Sequence, residues 1–252
     1  MIEAQTVERV LHSLFIAVAG TKLRREDRKK AIEVAAFLEA LRPHVGKGRL
    51  LVDAAAGKAY VGILAAALLG AERLHVIERD AARADACRTA FARLPDWQRA
   101  QASPPTSPTL HLVVGDVHDP ASWPTRPDVV AALHACGPAS DAILDAAIAA
   151  QARWLYLVPC CYAATVPFSA HAAATADRLG LPQQAEVRRR FVTSLIDAER
   201  TLRLEAAGYE TTVLPLVPPT VTPHNLLWRA RRVHEPHRMS AATTRLTQLR
   251  NS

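Results

Sequence analysis

The apolar positions of this chain fall into two kinds of run. Over residues 3–18 and 26–41 they recur at helical spacing, and the second stretch carries Ile32, Ala35, Ala36 and Leu38 on its apolar side and ends ahead of Pro43. From Arg49 onward the pattern changes. Short unbroken apolar runs at 50–54, 73–77, 110–114, 128–133 and 154–158 are separated by helical stretches at 59–69, 81–94 and 140–149. A strand with no polar alternation is covered on both faces, and a helix between strands supplies the crossover that parallel neighbours need. The spacing therefore predicts an α/β fold with a five-strand parallel core. A loop rich in Gln, Ser, Pro and Thr is expected over 98–107.

The end of the chain reads differently. A long helix over 185–207 stops at Gly208, and strand-like runs follow at 210–217 and 225–229, with Pro218, Pro219 and Pro223 between them. With no helix to cross over, this closing pair is expected to be antiparallel. From His234 the sequence is polar. The expected division is an N-terminal helical extension over 1–44, a main domain over 45–233 and a polar flexible tail over 234–252.

Composition narrows this picture. The 252 residues suit one large domain with a modest extension, and 50% hydrophobic with 22% charged residues excludes overall disorder. The richest apolar run, 61–69, is too short to span a bilayer, and Met1 to Val10 lacks the basic start of a signal peptide. Four cysteines, of which Cys160 and Cys161 are adjacent, do not make a disulfide framework and fit a reducing cytoplasm. The net charge of +7 favours a polyanionic partner such as RNA, although an Arg-rich solvated surface reads the same way. Lys22, Arg24, Arg25, Arg28, Lys29 and Lys30 gather at the start of the second helix.

Ligands of open α/β sheets sit at the carboxyl ends of the strands, near the switch in strand order. Here the first strand runs into Asp53-Ala54-Ala55-Ala56-Gly57-Lys58-Ala59-Tyr60. Small residues admit a ligand close to the backbone, Gly57 accepts a positive φ, and Asp53 is placed to meet an ammonium group. The second strand reaches Glu78, which suits a pair of ribose hydroxyls, and the third ends in Gly115-Asp116-Val117, where an acid suits an adenine amino group. A dinucleotide site would show G-x-G-x-x-G. A P-loop would need Gly at position 52 and Ser or Thr at 59, where this chain has Val and Ala.

The next strand tips carry Leu133-His134-Ala135-Cys136-Gly137 and Pro159-Cys160-Cys161-Tyr162. Together with Gly57-Lys58-Ala59-Tyr60 they resemble a class I methyltransferase family marked by a G-K-G-Y-like loop, L-H-x-C-G and P-C-C. Its relatives include tRNA acceptor-stem 2′-O-methyltransferases and methyltransferase-like proteins, and its bacterial members are small, like this chain. Arg190-Phe191, Asp197-Ala198, Arg200, Gly208-Tyr209 and Thr222-Pro223-His224-Asn225 extend the resemblance over roughly residues 26 to 232. It implies a Rossmann-like fold with a seven-stranded, mostly parallel sheet and an antiparallel final strand, preceded by N-terminal helices. It implies S-adenosyl-L-methionine as cofactor, held by Asp53, Ala55, Gly57, Tyr60, Glu78, Asp116, Val117 and Leu133. Ala55 and Ala59 stand where the relatives have Gly.

The groups expected to carry chemistry are His134, Cys136, Asp141, Cys160 and Tyr162. Each has a plainer role open to it: buried Cys as a small hydrophobe, Asp141 at a helix N-terminus, His134 as a packed side chain. His134, Cys136, Cys160 and Cys161 match no standard zinc spacing, so no metal is expected. The substrate reading is RNA, with tRNA included. A protein side chain or small molecule is the alternative, and a non-catalytic cofactor-binding scaffold is a third reading. No membrane or DNA-binding module is expected.

Overall fold

The computed structural model describes residues 1–17, 20–22, 24–101, 107–183 and 186–251. The five apolar runs form β1 (Leu50–Ala54), β2 (Arg73–Glu78), β3 (Thr109–Val114), β4 (Val129–Ala135) and β5 (Trp154–Pro159), and the closing pair forms β6 (Tyr209–Pro215) and β7 (Leu226–Arg232). They make one seven-stranded sheet in the order β3-β2-β1-β4-β5-β7-β6. Only the final strand, β7, is antiparallel to its neighbours β5 and β6. This is the Rossmann-like arrangement expected of the sequence.

Both faces of the sheet are buried, which is why its strands lack polar alternation. Leu51, Leu74, Val76, Val129, Ala131 and Val158 face one core, and Val52, Ala54, Ile77, Val130, Ala132 and Leu157 face the other. The first core is closed by α1 (Ala4–Leu11) with the π-helical turn His12–Ile16, α2 (Arg25–Leu41), α3 (Tyr60–Leu69) and α4 (Ala81–Ala100). The second is closed by α5 (Ala139–Ala149) and α7 (Glu186–Ala206). A satellite cluster built on Val166, Phe168, Ala172 and Ile196 joins α6 (Ser169–Arg178) to α7.

Several expectations are corrected. Ala35 and Leu38 are buried in α2 as expected, together with Ala31, Val34, Phe37, Leu41 and Glu33, while Ile32 is exposed. Helix α4 continues through Pro95 instead of stopping at Leu94. Pro95 removes one backbone hydrogen bond, yet the turn beyond it packs Trp97 against the core. Part of the loop expected over 98–107 is therefore helix, and residues 102–106 lie outside the described residues, as do Val18 and Ala185 at the limits of two expected helices. The segment expected to be a flexible tail is helix α8 (Pro236–Asn251). It lies along α7, with Arg238 4.0 Å from Glu205 and Arg250 bonded to Glu199. Ala242 is its one fully buried hydrophobic residue, flanked at helical spacing by the partly buried Met239, Leu246 and Leu249, so a short apolar stripe docks it together with the ion pairs. Among the described residues, no helix is long and apolar enough to cross a membrane.

Strands β2 and β4 flank β1 on opposite sides, so the strand order reverses beside β1 and leaves a crevice at its carboxyl end. The chemistry-bearing segments of the sequence all leave the sheet at this end.

Candidate functional site

The turn from β1 into α3 is tight. Ala55, Gly57 and Ala59 take positive φ of 51°, 60° and 59°, a region that only Gly enters without steric cost. Two acids hold this turn from below. Asp53 accepts the Gly62 N–H at 2.7 Å, and Glu78 accepts the Gly57 N–H at 2.6 Å and the Asp80 N–H at 2.9 Å. Asp53 is buried and has no cationic partner among the described residues. Desolvation pushes its carboxyl up to about 7, the Gly62 N–H opposes the shift, and the nearby Glu78 adds to it. A buried carboxylate in this state lacks a counter-charge.

The third strand-tip acid, Asp116, is accessible. Its Oδ1 accepts the His118 N–H at 3.0 Å and meets His118 Nδ1 at 2.6 Å, and these contacts hold its carboxyl below the usual range. Val117 is buried beside it and its carbonyl accepts the Trp123 indole N–H at 2.9 Å. Leu133 is half-buried against the first core. Tyr60 meets Phe15 edge to face, with ring centroids 4.7 Å apart, so the N-terminal π turn packs on the turn from β1 into α3. Asp53 and Glu78 thus share one turn, and Asp116 and Val117 stand at the next strand beyond β2.

The tips of β4 and β5 form the other half. His134 has φ of 65° and sits at a register shift between Leu133 and Ala135. Its Nε2 is 2.9 Å from Glu33 Oε2, and Lys30 approaches the same carboxylate at 3.0 Å. Ala135 pairs with Pro159, so the residues that follow them, Cys136 and Cys160, stand side by side with Cα atoms 5.4 Å apart. They are joined as a disulfide, which corrects the expectation of free cysteines. The cause is strand register, which residue spacing along the chain does not reveal. Cys161 is free, and its Sγ accepts the Gly137 N–H at 2.8 Å.

Beyond β5 a cleft of about 1100 Å³ opens toward α7, lined by Cys161, Tyr162, Arg188, Arg190, Asp197 and His224, among others. The Tyr162 hydroxyl donates to Asp197 Oδ1 at 2.8 Å, and the Arg200 guanidinium lies 5.3 Å from the centre of the Tyr162 ring. Burial raises the Asp197 carboxyl to about 6 against the opposing pull of Tyr162 and Arg200. Asp141 stands apart from this wall. Both its oxygens are taken by Arg200, at 3.2 and 2.7 Å, and Arg203 adds a bond at 2.5 Å. A carboxylate so engaged anchors α5 to α7.

Sequence reasoning missed the site's link to Glu33. The one available signal was a charged residue on the inner side of an amphipathic helix.

A seven-stranded Rossmann-like sheet with acids at three successive strand tips defines the class I methyltransferase fold. Residues 29–166, more than half of the chain, match the methyltransferase domain family, and the chain belongs to it. It is also 28% identical over 130 residues to a glutathione S-transferase C-terminal domain-containing protein homolog of Drosophila melanogaster, a match covering 42% of this chain and 22% of that protein. The homolog from Drosophila pseudoobscura pseudoobscura matches at 28% over 135 residues, 44% of this chain and 23% of its own length. The matched stretch is thus under a quarter of either relative. Among solved structures, the complex of Trm1 from Pyrococcus horikoshii with S-adenosyl-L-methionine aligns with a TM-score of 0.52 at 12% identity, over 87% of this chain and 58% of that one. This likeness is one of fold.

Proposed function

We propose that the chain transfers a methyl group from S-adenosyl-L-methionine to RNA, tRNA foremost. The observation that carries the cofactor assignment is Asp53, a buried carboxylate with no cation beside it among the described residues, at the tip of β1 where the strand order reverses in a methyltransferase domain. The cofactor's ammonium is the complement such a group needs. Glu78 and Asp116 would hold the ribose hydroxyls and the adenine amino group. Val117 and Leu133 would wall the ring, and Ala55, Gly57 and Tyr60 would line the turn beneath the methionine end.

When bound, the cofactor supplies a methyl group on a sulfonium, open to in-line attack by a nucleophile. The protein's own work is positioning and the exclusion of water. The cleft wall of Tyr162 and Asp197 is the surface against which the nucleophile would be held, and His134 and the cysteines stand at the neighbouring strand tips.

The net charge of +7 and the arginines at 188–190 on the cleft support RNA, as does the motif resemblance to tRNA methyltransferases. A protein side chain or small molecule is the second reading, favoured by the aromatic and acidic groups Tyr162, His224 and Asp197 on the same wall. A labelled-methyl screen against RNA, protein and metabolite fractions separates them. Label is expected in RNA with the native chain and absent with Asp116→Ala. Cofactor binding without any RNA labelling would overturn the RNA reading, and full activity of the Asp116 variant would overturn the adenine assignment.

A further inference from the structure

We infer that the cysteines at the tips of β4 and β5 form a metal site: Cys136, Cys160 and Cys161, once reduced, hold one thiophilic divalent cation of the zinc type. The three sulfur atoms all lie within 4.8 Å of one another. Around a tetrahedral zinc with Zn–S bonds of about 2.3 Å, neighbouring sulfurs stand roughly 3.8 Å apart. Once the Cys136–Cys160 bond is reduced, that pair must open and Cys161 close in to reach this spacing, by side-chain shifts of about an ångström. No strand need move, since the sheet ladder pairing Ala135 with Pro159 already sets Cys136 beside Cys160.

Three further features are those of a ligand set. The Gly137 N–H points at Cys161 Sγ at 2.8 Å, the kind of backbone donor that surrounds metal thiolates and spreads their charge. Three protein sulfurs leave one position of a tetrahedron open, and Cys161 lines the large cleft, so that position can face water or a substrate group. His134, two residues before Cys136, gives Nε2 to Glu33, the kind of carboxylate contact that orients metal-binding imidazoles. The fourth cysteine, Cys87, belongs to none of this. It is buried in the first core, and desolvation pushes its thiol up to about 12.

The disulfide and the metal are alternative states of the same sulfurs. Two equivalents of a small thiol reduce the Cys136–Cys160 bond and leave as their own disulfide. Zinc then takes the three thiols as thiolates and releases three protons.

The test uses the full chain, reduced and freed of reductant under anaerobic conditions, with Co²⁺ and Zn²⁺ as probes. The expected result is one cobalt per chain, with thiolate-to-cobalt charge-transfer absorption of an intensity fitting three sulfurs, displaced by one equivalent of zinc. Cys136→Ser, Cys160→Ser and Cys161→Ser should each weaken zinc binding by at least tenfold, and Cys87→Ala should leave it unchanged. The cobalt spectrum of the native chain counts the sulfurs even if a variant fails to fold. A reduced native chain that binds neither ion, or a cobalt complex without thiolate absorption, would overturn the assignment.

Discussion

The Asp53 carboxylate, at the tip of β1, accepts the backbone N–H of Gly62 in the first turn of α3 at 2.7 Å, and no positive group among the described residues balances its charge. Its folded-state pKa of about 7 lies above the ordinary 3.8. The folded chain therefore binds this proton more tightly than the unfolded chain does. Stability should be fully favoured below about pH 4 for this group and fall as pH rises toward 7, by on the order of 3–4 kcal/mol. Asp53→Asn should remove that slope and make the cofactor-free chain more stable at pH 8. Urea unfolding at pH 5 and 8 checks this, and an unchanged slope would sink the assignment.

Cofactor binding should show the reverse side of the same proton. The ammonium pairs with the ionised carboxylate, so binding at pH 6 is expected to release close to one proton. Affinity should weaken as pH falls below 7, by up to tenfold per unit. Calorimetry in buffers of different ionisation heat measures the proton count, and zero release would refute the pairing.

Ala55 and Ala59 both occupy the left-handed region, yet glycine should not help them equally. Relief of the positive φ favours Gly by about 1–2 kcal/mol, offset by about 0.4–1 kcal/mol of added freedom in the unfolded chain. Ala59 also buries its methyl completely, worth about 0.8 kcal/mol, while Ala55 is half-buried. Ala55→Gly should raise stability by about 0.5–1 kcal/mol, and Ala59→Gly should fall near zero. Thermal melts of the two single variants decide the order.

The ion pairs of α7 should divide sharply by burial. Arg200 is fully buried on Asp141, so Asp141→Ala removes its bidentate partner, leaves it only Asp197 at 3.7 Å, and should cost about 3 kcal/mol. Glu186 pairs with Arg189 and Arg190 at the surface, where solvent screens the charges and loss of the acid should leave stability close to unchanged. Equal losses in denaturant titration would contradict this division.

Glu33 holds His134 in its left-handed conformation from a helix about a hundred residues away in sequence. Glu33→Ala should destabilise the chain by about 1–3 kcal/mol, and Glu33→Gln, which keeps an acceptor, by less. A Gln variant as unstable as the Ala variant would show that the bond is not what matters.

Much of the fold was written in local pattern. The run at 50–54 forms a strand over those same residues, because a continuous apolar pentad bounded by a small-residue turn has few other uses. The strand-tip acids were legible for the same reason. Helices α6 and α8 were not: Ser169–Arg178 is mostly Ala and polar, and the apolar positions of Pro236–Asn251 are few, Met239, Ala242, Leu246 and Leu249 in an otherwise polar run. The contacts that define the site across long separations were hidden as well. Cys136 meets Cys160, and Asp141 meets Arg200 fifty-nine residues on, through strand register and helix docking. Neither leaves a trace in residue spacing.

The register shift at His134 has a consequence for how this chain tolerates deletions. One extra residue in β4 sets the phase of everything beyond Leu133. Loss of the His134 codon would erase the kink and join Leu133 to Ala135 in an unbroken ladder, with Ala135 still opposite Pro159 and Cys136 still beside Cys160. A substitution at His134 removes the bond to Glu33 and keeps the bulge, whereas a one-residue deletion there removes both and leaves the sulfurs facing each other.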